Sequence, residues 1–189
     1  MKYTYALARR FVRQSLLGRP RKDRVLHELR CIFVHVPKTG GNSITTALNS
    51  LPQQSTGRIY PQLSKHAKAC EIHDAVGEDM WQQYFSFAFV RNPWDLMVSS
   101  YHWWLQKAPH WHKFDDDVSR IRDMGDFRTF MLSEYGRTMI NRRPGNLENW
   151  ISSPKGDRIV DFVGKMETMG QDWQKICSRL GIQIDLLHL

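Results

Sequence analysis

Residues Cys31 to Leu48 read C-I-F-V-H-V-P-K-T-G-G-N-S-I-T-T-A-L, and this stretch decides the fold. It opens with a six-residue apolar, β-branched run broken only by His35, which predicts a buried strand. Pro37 stops the ladder, and Gly40 and Gly41 permit a tight turn. Asn42 or Ser43 can then cap a helix whose apolar positions are Ile44, Ala47 and Leu48. Strand, glycine turn and helix N-terminus bring free backbone N–H groups around one point, and the helix dipole adds positive potential there. Such a cradle holds an anion, most often a phosphate. Lys38 adds a mobile charge within the turn. The spacing is not that of G-x-x-x-x-G-K-[ST], and a plain strand-to-helix connection with an incidental lysine is the simpler alternative.

Working outward, the 189 residues suit one domain with a sizeable core, and 41% hydrophobic content with seven Trp argues against disorder. No run of apolar residues is long enough to span a membrane, and no signal-peptide core opens the chain. Cys31, Cys70 and Cys177 are too scattered for a disulfide framework or metal cluster; a reducing, cytoplasmic setting is expected, with all three as small buried side chains. The net charge of +8 is uneven: residues 1–30 hold nine Lys/Arg against Asp23 and Glu28, while the rest is nearly neutral. Residues 1–30 therefore form a basic lead-in. A helix over Tyr5 to Leu17 is expected within it, and contact with nucleic acid or an acidic lipid surface competes with a simply solvated role.

Further along, helices are expected over Lys65 to Val76, Trp81 to Tyr84, Trp94 to Gln106, Phe127 to Tyr135 and Thr168 to Leu180, with Gly181 ending the last. Phe85 to Val90 (F-S-F-A-F-V) predicts a second buried strand and Arg158 to Val163 a third. Residues 107–125 read as a charged, aromatic loop long enough for a flap. Strands alternating with helices argue for a parallel sheet covered on both faces, with ligands beyond the carboxyl ends of the strands. The two best strands end in Pro37-Lys38 and Arg91-Asn92-Pro93, so both deliver a cation to one rim.

Ser99 lies about 9 Å along the helix that starts near Pro93, at 1.5 Å per residue. Arg91 and Ser99 could thus share one terminal phosphate; pairing of Arg91 with Asp95 and a back-bonded Ser99 is the competing reading. Cradle and clamp together suggest a nucleotide with phosphates at two places. No acidic magnesium ligand follows either strand, which argues against an ATP-dependent kinase.

P-K-T-G-G-N-S after a strand, followed by F-V-R-N-P-W-D-L-M-V-S-S-Y, resembles the sulfotransferases that use 3′-phosphoadenosine 5′-phosphosulfate (PAPS), closest to the carbohydrate-type, family 2-like branch and its small bacterial relatives. K-H-A-K-A-C-E-I and V-D-F-V-G-K-M-E-T-M extend the likeness, which covers roughly residues 31–181. The family typically has Thr at the position of Asn42 and Arg at that of Leu96, and relatives usually continue beyond L-L-H-L. The resemblance implies a single sulfotransferase-like domain over residues 31–189, with a three-layer α/β/α, P-loop-NTPase-like architecture around a central parallel sheet. It implies that Lys38, Thr39, Gly40, Gly41, Asn42 and Ser43 wrap the 5′-phosphosulfate, and that Arg91 and Ser99 hold the 3′-phosphate. Sulfuryl transfer from PAPS to an acceptor hydroxyl is the implied reaction, without a metal, with Lys38 neutralising the departing nucleotide. His66 is the implied base, since imidazole ordinarily titrates near neutrality; a surface histidine capping the following helix is the competing reading.

His35 is expected to be a satisfied core residue and Glu167 a structural support. His110 and His112 with Asp115 to Asp117 lack a metal-ligand spacing and fit a solvated, acceptor-facing flap. A saccharide acceptor is favoured by the resemblance and by the aromatic residues of the 102–114 stretch. The alternatives are a P-loop-like kinase and a nucleotide- or polyanion-binding module without catalysis.

Overall fold

The computed structural model describes residues 24–51, 60, 63–106, 108–142 and 145–186. Its frame is a mixed α/β arrangement around one four-stranded sheet in the order β1-β2-β3-β4. β1 (Val25–Leu26) pairs antiparallel with β2 (Cys31–Val34), and β2 pairs parallel with β3 (Phe85–Val90), itself parallel to β4 (Phe162–Lys165). The parallel core is as expected; the antiparallel edge comes from residues 25–26, inside the basic lead-in. The helix expected over Tyr5 to Leu17 lies outside the described residues.

Period-two alternation sends the strand side chains to two cores. Ile32, Val34 and Ala88 join Ile72, Trp81, Trp150 and Ile151 in one cluster. Phe33, Phe87 and Phe89 join Ile44, Ala47, Leu48, Trp173 and Ile176 in the other. Both faces are thus dry, which is why the strands read as continuous apolar runs. The helices supplying these contacts are α1 (Gly41–Leu48), α2 (Ala69–Val76), α3 (Glu78–Gln83), the short α8 (Glu148–Ile151) and α9 (Met169–Leu180). Gly181 closes α9 in the left-handed conformation at φ 65°.

A third cluster stands beside the sheet. α4 (Pro93–Gln106) turns Tyr101 and Trp104 toward α5 (Asp115–Asp123), α6 (Phe127–Leu132) and α7 (Glu134–Arg142). The flap expected over residues 107–125 is therefore largely structured: two 3-10 turns, Ala108–His110 and His112–Phe114, lead into α5. Its signals are legible in retrospect. Asp115, Asp116 and Asp117 occupy its first turn and Arg120 and Arg122 its last, matching the helix dipole, while Val118 and Ile121 form a buried stripe. The helix expected over Phe127 to Tyr135 is broken at Ser133, the C-cap of α6, and resumes as α7.

The third strand begins four residues later than Arg158. Arg158 makes only an isolated bridge with Ser152, and the Asp161 carboxylate accepts from the Ser86 backbone N–H at 2.7 Å and its hydroxyl at 2.8 Å. That anchor starts the β3–β4 ladder at Phe87 and Phe162. Cys31 and Cys177 are buried and Cys70 half-buried, all as free thiols, and burial pushes the Cys31 thiol up to about 12. Among the described residues no helix is long and apolar enough to cross a membrane.

Candidate functional site

β2, β3 and β4 run in the same direction, so Val34, Val90 and Lys165 all finish at one rim. The loop leaving β2 there is built around two left-handed residues. Gly40, at φ 77°, caps α1, and Lys38 has φ 67°, a conformation uncommon outside glycine and one that costs backbone energy. Thr39 braces the loop by donating its hydroxyl to the Val36 carbonyl at 3.0 Å. No side chain caps the N-terminus of α1; the Ser43 N–H donates to the Gly40 carbonyl at 3.0 Å, and the N–H groups ahead of it lie before the intrahelical ladder begins.

A side chain is disfavoured at both glycines, at Gly40 by its positive φ and at Gly41 by a buried ring. A Cβ on Gly40 would lie 2.5 Å from the Met169 methyl, and one on Gly41 would lie 2.3 Å from the His35 ring. His35 is 3% exposed, stacked on Phe33 with ring centroids 5.6 Å apart. It is a core residue, as expected, yet it also packs against the glycine loop.

The loop leaving β3 is held by different means. The Asn92 side-chain oxygen accepts from Trp94 N–H at 2.9 Å, while its backbone carbonyl accepts from Leu96 N–H at 2.9 Å. Asn92 thus caps α4, and Pro93 fits the first helical position, where no N–H is needed. Glu167, beyond β4, accepts from the Asn92 backbone N–H at 2.6 Å and ties the neighbouring strand end to this cap. That N–H, helped by Arg91 and Lys165, keeps the Glu167 carboxyl below its ordinary range.

These loops surround a cavity of about 530 Å³, within the usual range for small-molecule sites. Lys38, Gly40, Gly41, Asn42 and Ser43 line one side, with His66 next to them; Arg91 and Ser99 line another. The two motif halves therefore face the same space, and the Arg91 guanidinium reaches the Lys38 carbonyl at 3.4 Å. Thr39 is the exception among the candidates. Its side chain is buried under the loop and supports the backbone, because its hydroxyl is turned to Val36. Among the described lining residues there are lysines and an arginine but no carboxylate.

His66 is oriented by the His35 carbonyl, 3.0 Å from its Nδ1. A carbonyl only accepts, so Nδ1 carries the hydrogen and the neutral ring keeps its lone pair on Nε2. The His35 and His66 rings meet edge to face at 4.6 Å.

Several lining residues were not singled out as site residues from sequence. Lys65 joins the lining beside His66, as does Met166, the residue after β4. Trp103, Trp104 and Trp111 form an aromatic wall, Trp103 stacked on Trp111 with centroids 5.8 Å apart at 27°. The aromatic 102–114 stretch is expected to face the acceptor, and α5, which the sequence leaves inside a loop, packs the 3-10 turns against α4. The His110, His112 and Asp115 to Asp117 cluster lies outside this lining; its acids open α5, and His112 Nδ1 sits 3.4 Å from Asp115 Oδ2.

Fold and cavity define an α/β protein with an open, cation-rimmed site at the carboxyl ends of its parallel strands. The chain belongs to sulfotransferase family 2, whose family model matches residues 24–186. An uncharacterized protein of Archaeoglobus fulgidus is 27% identical over 117 residues, covering 61% of this chain and 82% of that protein. No solved structure matches.

Proposed function

We propose that the protein transfers a sulfuryl group from PAPS to a hydroxyl of a saccharide. The observation that carries this reading is the convergence of the 38–43 loop and the Arg91–Ser99 pair on one cavity without a lining carboxylate among the described residues. A nucleotide with anionic groups at both ends fits that charge pattern. Lys38, Gly40, Gly41, Asn42 and Ser43 take its 5′ end through the open α1 N-terminus and the lysine ammonium. Arg91 and Ser99 take the 3′-phosphate. Thr39 contributes by holding the loop.

In the transfer, the bond between sulfur and the phosphate oxygen breaks as a bond from the acceptor oxygen to sulfur forms. The electron pair stays on the phosphate oxygen, where Lys38 and the loop N–H groups offset the charge. His66 Nε2 takes the acceptor proton, with Nδ1 pinned on His35. Positioning and charge stabilisation are the protein's main contributions. The Trp103–Trp111 wall suits the apolar face of a sugar ring. The parallel core flanked by apolar clusters supports a three-layer, P-loop-like architecture, and the glycine-loop reading is consistent with it.

Calorimetric titration tests this reading. Parent protein is expected to bind 3′-phosphoadenosine 5′-phosphate (PAP) tightly and ATP–Mg weakly, and Arg91→Ala to weaken the first. Equal binding of ATP–Mg with turnover would favour the kinase. Normal PAP binding with no sulfation of any saccharide or small hydroxyl compound would favour a binding module.

A further inference from the structure

The roles above leave Lys65 unused, although it lines the cavity next to His66. Its Nζ donates to the Asn42 side-chain oxygen at 2.7 Å, and Asn42 is the second residue of α1. The ammonium is thereby held within one asparagine side chain of the uncapped helix N-terminus. The next residue is fixed too, since His66 Nδ1 donates to the His35 carbonyl at 3.0 Å. Residues 65–66 are thus docked onto the 35–42 loop at two points, one carrying a positive charge and the other an imidazole lone pair.

An amide oxygen is a neutral acceptor. A phosphate or sulfo oxygen forms a charge-assisted hydrogen bond about twice as strong, and an ammonium has three donors, so it can keep Asn42 and engage an anion together. We propose that Lys65 is a second charge-stabilising residue of this site, binding the 5′-terminal anionic group of the nucleotide together with Lys38 while Arg91 binds the opposite end. The inference rests on the nucleotide reading above. Lys38 approaches from the strained loop and Lys65 from the turn bearing the base. As the bond from sulfur to the phosphate oxygen breaks, Lys65 sits on the side from which His66 serves the acceptor.

Titration of parent, Lys65→Gln, Lys65→Arg and Arg91→Ala with PAP, adenosine 5′-phosphate and adenosine 3′-phosphate tests it. Glutamine keeps an N–H donor on a side chain one atom shorter and removes the charge, while Lys65→Arg keeps both donor and charge, so the pair separates a tether from a charged ligand contact. Lys65→Gln should lose roughly tenfold for PAP and the 5′-phosphate, the scale of one charge-assisted hydrogen bond, and little for the 3′-phosphate. Arg91→Ala should show the reverse pattern, and Lys65→Arg should recover most of the affinity. Parent-like affinity of Lys65→Gln for the 5′-phosphate, or an equal loss on both mononucleotides, overturns the proposal while leaving the nucleotide reading standing. A parent protein that binds neither PAP nor the 5′-phosphate removes that reading, and Lys65 with it.

Discussion

The space a side chain on Gly41 would need is filled by the His35 ring, and this contact binds the sheet to the anion loop. Gly41→Ala would put a methyl 2.3 Å from an imidazole that is itself wedged on Phe33. We expect it to cost about 1–3 kcal/mol, the usual penalty for overpacking, and to abolish PAP binding; urea denaturation and calorimetry read the two effects. Lys38 poses the complementary case, since its φ of 67° suits glycine. Lys38→Gly should therefore retain or raise thermal stability yet lose nucleotide affinity, whereas Lys38→Ala, which keeps the Cβ and its strain, should lose affinity with stability close to the parent's. A Lys38→Gly variant that binds PAP like the parent would show that the side chain is not used. For His66, replacement by Ala should lower sulfuryl transfer on the order of 10²–10⁴-fold, the range for a lost general base, and PAP affinity far less, as measured by PAP release in the presence of acceptor and by calorimetry.

Among the elements, α5 determines whether the aromatic wall exists. Ile121 and Val118 are fully or almost fully buried against Tyr101 and Trp104, so α5 holds α4 and the 3-10 turns together. Ile121→Ala should cost about 2–4 kcal/mol, the usual range for such a cavity. It should also loosen the Trp103–Trp111 stack, visible as altered tryptophan fluorescence and near-ultraviolet circular dichroism.

This helix also marks where reading the chain unaided stops. Cys31–Val34 and Phe85–Val90 were legible because both faces of their strands are buried, and Arg91-Asn92-Pro93 because cap and proline have local chemistry. α5 was obscured by its surroundings. The aromatic and histidine residues of 110–114 drew the whole stretch toward a loop, although Asp115 to Asp117 and Arg120 and Arg122 carry ordinary helix-end charges. Lys65 was hidden for another reason. Its significance lies in a contact with Asn42, 23 positions away, which no periodicity encodes. The antiparallel strand Val25–Leu26 was too short to announce itself, and its pairing is decided by β2.

For the molecule as a whole, the junction between β4 and α9 is an acid-sensitive point. The buried Asp172 carboxylate accepts from Lys165 N–H at 3.0 Å, the Thr168 hydroxyl at 2.7 Å and the Lys175 ammonium at 2.7 Å. Burial alone would raise its pKa, but these donors outweigh that and hold it at about 2. A carboxyl depressed on folding contributes stability above its unfolded value near 3.9, and that contribution disappears as pH falls through the folded value. Asp172 should therefore add on the order of 2–3 kcal/mol at neutral pH, declining between about pH 4 and pH 2. Asp172→Asn should flatten the acid limb of a stability–pH curve; an unchanged limb would assign the acid sensitivity elsewhere.

The cavity is stitched from stretches that the chain visits far apart, at residues 35–43, 65–66, 91–111 and 166. No excised peptide reproduces such a surface, because each wall is rigid only while the sheet beneath it is formed. Occupancy and global cooperativity are consequently linked: a ligand at one hundred times its dissociation constant should stabilise the entire fold by about 2.7 kcal/mol. Melting-temperature shifts can therefore rank unknown acceptors and nucleotides without any assay of turnover.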